Sequence, residues 1–184
     1  MMDAAESLPL PPAKPTLTNY AIVYAALIAT IVTAVRVCLR EAMAVAPEAL
    51  VPALFAMFGL SALVWILMAG LRNAMVMLGR VSMRYYHSYA NDAPAEWIER
   101  PARTFNNLMQ VPLVFYAVCL IAMALDRVDT VQVSLAWMFV VLRVVHALIM
   151  LAWNFVPYRF AAYNAAMIAL VALALRVAEG CWPR

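Results

Sequence analysis

The chain has 184 residues, of which 67% are hydrophobic and only 12% are charged, and its mean hydropathy is +0.86. A soluble domain of this length could not cover so much apolar surface with so few charges, so the composition indicates an integral membrane protein. The scarcity of glycine and the abundance of Ala, Leu, Val and Met favour helices over a β-barrel. The net charge of +3 comes from arginines spread between apolar runs, which argues against nucleic-acid binding.

The N-terminal region begins with a polar, proline-rich stretch, residues 1–19, which we expect to be a flexible tail. Residues 20–40 form the first apolar segment. A cleaved signal peptide is the alternative, because Ala44, Val45 and Ala46 resemble a small-residue cleavage site. The acids and the lysine that precede the segment, together with its length, favour a retained transmembrane helix.

Four further apolar segments follow, at residues 51–71, 107–125, 131–152 and 160–178. Each is close to the ~20 residues that a helix needs to cross ~30 Å of hydrocarbon. The connection "DRVDT" at 126–130 is so short that the helices on either side must be antiparallel neighbours. The sequence therefore predicts an all-α membrane protein, in which a four-helix up-down bundle over residues 51–178 is preceded by one extra transmembrane helix.

The arginines predict how this bundle is oriented. With five spans, the N-terminal tail, the 72–106 connection and the 153–159 connection share one side, which holds Lys14 and six arginines against five on the other. Because the long arginine-rich connection should dominate, we expect that side to be cytoplasmic. The N-terminus is then cytoplasmic and the C-terminus lies across the membrane.

A stripe of polar residues marks the start of the third apolar segment. Arg100, Arg103, Asn107 and Gln110 are spaced by three, four and three residues, so on a helix they fall within an arc of about 80°. Polar side chains at membrane depth are costly in lipid. This face should therefore point at other helices or at a water-filled cavity.

A second polar set lies on the fourth helix, where Arg143, His146, Met150 and Asn154 share a face. Arg143 and Asn154 are interpreted as structural polar residues, since a charge deep in an apolar run needs a partner inside the bundle.

Arg159 and Tyr163 stand at the entrance to the fifth helix. In the predicted topology, three helices bring cationic and amide groups to one level, where guanidinium groups could bind carboxylates in bidentate fashion. The alternative is structural: arginines that flank transmembrane helices extend to lipid headgroups, and amides join helices.

The three cysteines, Cys38, Cys119 and Cys181, lie in or beside apolar segments without a CxxC motif. We interpret them as bystanders and predict neither a disulfide nor a metal site.

The polar residues carry a resemblance to a known family. The pattern R-x-x-R-x-x-x-N-x-x-Q at 100–110 resembles the R-x-x-R-A-x-x-N-x-x-E signature of the MAPEG proteins, the membrane-associated proteins in eicosanoid and glutathione metabolism. "RVVH" at 143–146, "VPYR" at 156–159 and Tyr163 resemble the family's prostaglandin synthase segment in spacing. "FNNLMQVPLVFY" and "LRVVHALI" are similar to small bacterial MAPEG-like membrane proteins. The resemblance covers residues 51–178.

The resemblance implies a homotrimer in a bacterial inner membrane, with glutathione bound between neighbouring subunits near the cytoplasmic side. Arg159 matches a catalytic arginine near the thiol, where a cation would lower the pKa of the sulfur. The implied glutathione-binding residues are Arg72 (contributed by the adjacent subunit), Arg100, Arg103, Asn107, Gln110, His146 and Tyr163.

Three positions depart from the family pattern. Gln110 replaces the motif's acid, Met150 replaces a tyrosine and Phe160 replaces a serine. Two functions therefore stay open: a glutathione-dependent transferase or peroxidase acting on lipophilic electrophiles dissolved in the membrane, or a non-catalytic binding or interaction module on the same scaffold. A transporter is a weaker third reading, because the sequence has no matching pair of broken helices.

Overall fold

The computed structural model describes residues 15–89 and 93–181, and its long elements are all helices. The helices are α1 (Leu17–Cys38), α2 (Val51–Met77), the short α3 (Met83–Ser88), α4 (Glu96–Ala124), α5 (Thr130–Ala152) and α6 (Val156–Cys181). A 3₁₀ turn, Pro47–Leu50, leads directly into α2.

Five helices in the described part of the chain, all but α3, are long and apolar enough to cross a membrane. The prediction of an all-α membrane fold is therefore confirmed. The predicted flexible tail falls mainly on residues 1–14, which lie outside the described residues, and α1 begins within its last residues at Leu17.

The boundaries of the 72–106 connection were predicted wrongly. Helix α2 continues to Met77, and α4 begins at Glu96, well before residue 107. Hydropathy detects only the apolar part of a helix, whereas α4 continues beyond it through polar residues. Glu96 and Glu99 lie in its first turn, where carboxylates interact favourably with the positive end of the helix dipole. As a result, the whole polar stripe at 100–110 lies on a regular helix.

At one end of the bundle, the connection between α1 and α2 is hydrogen-bonded to the connection between α4 and α5. The Val45 N–H donates to the Val128 carbonyl (2.9 Å), and the Thr130 N–H donates to the Met43 carbonyl (3.0 Å). Arg176 near the end of α6 also reaches this end, where its Nε lies 3.1 Å from Asp129 Oδ2. The end of α1 and the end of α6 are thus joined to the loop between α4 and α5.

At the opposite end, which we call the arginine end, the starts of α1, α4 and α6 meet the end of α5. The Tyr158 hydroxyl donates to Asn19 Oδ1 (3.2 Å), and Arg100 Nη1 donates to the Ala152 carbonyl (2.9 Å). The five long helices therefore alternate in direction.

The core between α4, α5 and α6 is closely packed. The rings of Phe115 and Phe139 stack with their centroids 4.6 Å apart, and both side chains are fully buried. Helix α6 presents buried alanines to its neighbours, which allows its backbone to approach them closely. These are Ala161, Ala162, Ala165, Ala166 and Ala169.

Helix α1 is the most peripheral of the five spans. Only 22% of its apolar window is buried inside the chain, against 44% for α5 and for α6. It packs on α6 and leaves an open apolar groove of about 620 Å³ between the two helices. Leu27 and Ile31 line the groove from α1, and Phe160, Asn164 and Val171 line it from α6.

The arginine content of the loops predicts that the arginine end is cytoplasmic. In a bacterial host, alkaline phosphatase fused after α6 should be active, because that enzyme folds only outside the cytoplasm, and green fluorescent protein fused at the same position should be dark. A fluorescent C-terminal fusion with inactive phosphatase would contradict this orientation.

Candidate functional site

Arg100 is engaged by its own chain. Its Nη1 donates to the carbonyl of Ala152, the last residue of α5, and its Nη2 lies 3.6 Å from a carboxylate oxygen of Glu96. A cation at a helix C-terminus interacts favourably with the carbonyl groups that have no partner inside the helix. Only 17% of the Arg100 side chain is exposed, so it has little surface left to offer a ligand.

Arg103 and Gln110 point away from their own chain. Both are exposed, and neither makes a hydrogen bond or salt bridge to any described residue. Asn106 lies on the same exposed face, three residues after Arg103 and four before Gln110. The predicted stripe is therefore divided, with Arg100 turned inward and an exposed polar face formed by Arg103, Asn106 and Gln110.

Asn107 and Arg143 form a pair across α4 and α5. Arg143 Nη2 donates to the backbone carbonyl of Asn107 (3.0 Å) and to its side-chain Oδ1 (2.8 Å). No part of Arg143 is exposed, and its Nε and Nη1 have no hydrogen-bond partner within the described residues. Because Oδ1 accepts from Arg143, the Nδ2 group of Asn107 is the part of its amide that can donate to a ligand.

His146 and Tyr163 face each other behind this pair. The His146 side chain is buried one turn after Arg143, and its ring centroid lies 5.8 Å from that of the half-buried Tyr163. Met150, another turn along α5, is buried too. His146 and Tyr163, the two predicted ligand-binding residues of this group, thus pack between α5 and α6.

Arg72 lies in a separate cluster that joins α2 to α4. Its Nη2 is 3.0 Å from Glu99 Oε2, and its guanidinium carbon lies 4.8 Å from the centroid of the Tyr86 ring. Burial, and then the nearby Glu99 carboxylate, raise the pKa of Tyr86. Within one chain, Arg72 is therefore neutralised by Glu99.

Arg159 is held by Asn154 at the turn between α5 and α6. Its Nη1 donates to Asn154 Oδ1 (2.8 Å), while Asn154 Nδ2 donates to Glu96 Oε1 (2.6 Å). Since Glu96 also approaches Arg100, one network joins three of the sequence-predicted residues: Arg100, Asn154 and Arg159.

The sequence reasoning missed the two carboxylates of this region. Glu96 stands four residues before Arg100, a spacing that by itself indicates an ion pair on a helix. Glu99 offered no comparable signal, because its partner Arg72 lies 27 residues away on another helix. Asn106 could have been found from its spacing to Arg103 and Gln110.

Metal ligands do not converge in the described residues, where no group of three His, Cys, Asp or Glu side chains could hold an ion. Cys38 is free and exposed, and Cys119 is free and buried. The side chain of Cys181 lies outside the described part.

Alternating apolar helices with polar groups gathered at one end define a multi-pass α-helical membrane protein. Residues 49–178, more than two thirds of the chain, match the model of the MAPEG family, and the chain belongs to this family. Helix α1 precedes the matched region. Searches of curated proteins and of solved structures return no match.

The contrast between Arg143 and Arg103 leads to a stability prediction. Arg143→Ala should lower the free energy of unfolding by about 2–5 kcal/mol, because it leaves a cavity and removes the donor to both oxygens of Asn107. Arg103→Ala should lower it by less than about 1 kcal/mol, because the side chain makes no hydrogen bond or salt bridge to a described residue of its own chain. Thermal unfolding in mild detergent measures both changes, and an equal loss in the two variants would contradict the assignment.

Proposed function

We propose that the protein binds glutathione at the arginine end and uses it as a transferase or peroxidase on lipophilic electrophiles. The chain belongs to a family whose members often bind glutathione, and this membership supports the proposal. The observation that carries it is a set of unsatisfied donors on α4 and α6. Arg103 makes no hydrogen bond or salt bridge to a described residue and interacts with Glu96 only through its charge, Arg159 uses one N–H group on Asn154, and the Nδ2 group of Asn107 makes no hydrogen bond to a described residue.

The charge and donor geometry fit a peptide-like anion. The exposed guanidinium of Arg103 can bind a carboxylate with two parallel hydrogen bonds, and the Nδ2 group of Asn107 can donate to a peptide carbonyl. Glutathione would supply a thiol as nucleophile. Arg159 would contribute positive charge next to that thiol, which favours its deprotonated, reactive form.

The second substrate would come from the lipid. The groove between α1 and α6 is open and apolar, and its volume of about 620 Å³ suits a small lipophilic molecule. Phe160, which lines the groove, follows Arg159 directly in the chain. The groove continues along α6 as far as Leu175, so a hydrophobic electrophile would have to occupy its Phe160 end to lie beside the proposed catalytic arginine.

We also propose that the chain assembles as a homotrimer in a bacterial inner membrane. The support is the exposed polar face of Arg103, Asn106 and Gln110, which is expensive in contact with hydrocarbon and is sheltered if another copy covers it. The number three comes from the family resemblance.

A non-catalytic binding module is the second candidate, and specific contacts favour it. Arg72 is paired with Glu99, and Arg100 is committed to Glu96 and to the end of α5. Gln110 offers a neutral amide where the family motif has a carboxylate that could pair with an ammonium group. These contacts leave fewer groups for the ligand than the resemblance implies.

Arg103→Ala should weaken glutathione binding roughly tenfold to a hundredfold, which corresponds to the loss of one charge-assisted hydrogen-bonded contact worth about 1.5–3 kcal/mol. Calorimetric titration of the purified protein measures the change. Arg36→Ala is the matched control, since Arg36 is an exposed arginine near the end of α1, at the other end of the bundle. Wild-type protein that binds no glutathione would refute the proposal.

Native mass spectrometry in mild detergent should show a trimer, and a monomer would contradict it.

In a Cys38→Ser background, Asn106→Cys should form cross-links between subunits, because the polar face of α4 is covered by another copy. Ile28→Cys serves as the control, since Ile28 is exposed on α1 at a similar distance from the arginine end. We expect it to cross-link less.

A further inference from the structure

The turn between α5 and α6 depends on the backbone of Asn154. This residue has φ of +50°, in the left-handed region, and its N–H donates to the Ile149 carbonyl (2.7 Å) as α5 ends. Asparagine tolerates this conformation better than most residues, and glycine adopts it without strain. A helix-terminating role alone would therefore be served equally well by glycine.

The side chain of Asn154 does more than end a helix, because both of its polar atoms bond to other elements. Its Nδ2 donates to Glu96 on α4 (2.6 Å), and its Oδ1 accepts from Arg159 on α6 (2.8 Å). A carboxylate can only accept and a guanidinium can only donate, so these two partners fix the orientation of the amide. Of asparagine, aspartate and glycine, which all adopt this backbone, only asparagine offers both a donor and an acceptor.

Glu96 is itself held in place. It lies 3.6 Å from Arg100, whose guanidinium is bonded to the last carbonyl of α5. The amide plane of Asn154 is thus fixed by α4, and the guanidinium of Arg159 is fixed by Asn154.

We propose that Asn154 is a positioning residue, which holds Arg159 for its action on a bound thiol without neutralising its charge. This role rests on the proposed function. The acceptor is a neutral amide oxygen, so the positive charge of Arg159 stays available to a thiolate. The other N–H groups of Arg159 have no partner among the described residues, which leaves them to face a ligand.

An aspartate at position 154 would distinguish the positioning of Arg159 from the preservation of its positive charge. It would keep an acceptor oxygen for Arg159 but would pair with the guanidinium, and it would lose the donor to Glu96. Substitution by glycine distinguishes the backbone role of Asn154 from its side-chain role. Glycine keeps the left-handed conformation that ends α5, but it removes the amide that contacts Glu96 and Arg159.

The test measures the pH dependence of the ultraviolet absorbance of the thiolate, with glutathione bound to the purified full-length protein. In the wild type, the thiol pKa should lie below that of free glutathione. Asn154→Gly should raise it by about one unit, which means about tenfold less thiolate at neutral pH, because Arg159 is no longer held near the sulfur. The unfolding temperature should fall only slightly, because glycine keeps the left-handed backbone while two hydrogen bonds between helices are lost. Asn154→Asp should raise the thiol pKa as well, through neutralisation of Arg159.

Asn19→Ala is the control, since it removes an amide that joins two helices at the same end but does not contact Arg159. It should leave the thiol pKa unchanged. If wild-type protein gives a lowered thiol pKa and Asn154→Gly retains it, the positioning role is wrong and the proposed function stands. If the wild type itself gives no thiolate signal, the proposed function fails and this role fails with it.

Discussion

The packing of the bundle depends on one buried cation. The Arg143 guanidinium is wholly enclosed, and within the described residues its hydrogen bonds go to the two oxygens of Asn107. Leaving such a group without acceptors inside a membrane would be very costly. Helix α4 therefore cannot slide or rotate against α5 without losing both bonds. The same register brings Arg100 to the last carbonyl of α5, and it leaves Nδ2 as the donor atom of the half-buried Asn107 amide.

The arginines at the arginine end divide into two kinds. Arg72 and Arg100 are bound to carboxylates and hold helices together. Arg103 is exposed, and Arg159 is held by a neutral amide, its one hydrogen-bond partner among the described side chains. Sequence spacing indicates an ion pair for Arg100, because Glu96 stands four residues before it, but it does not separate the four arginines into these two kinds. Their different surroundings indicate which positive charges are compensated inside the chain and which remain for an external anion. Arginines that match one family pattern can thus differ in whether their charge is compensated inside the chain.

Hydropathy and periodicity each report a different physical property of the chain, and this decides which parts of the structure they could predict. Hydropathy located five spans because lipid selects for apolar length. It placed the start of α4 too late, since the helix continues into polar residues at Glu96. Periodicity put Arg100 and Arg103 on one face, but only the packed neighbours decide that Arg100 turns to α5. The contact between Arg72 and Glu99 joins distant helices and left no local trace.

The position of α1 has a consequence for biosynthesis. This helix is made before the other four spans, yet its main packing surface is α6, the last of the five to emerge. Its connection to α2 is likewise pinned to the loop between α4 and α5, at Met43 and Val45. Helix α1 must therefore enter the bilayer before its main partner exists, and it lacks that partner until α6 has been inserted. Its long apolar sequence allows this, because a single apolar helix is stable in hydrocarbon before it packs against another helix.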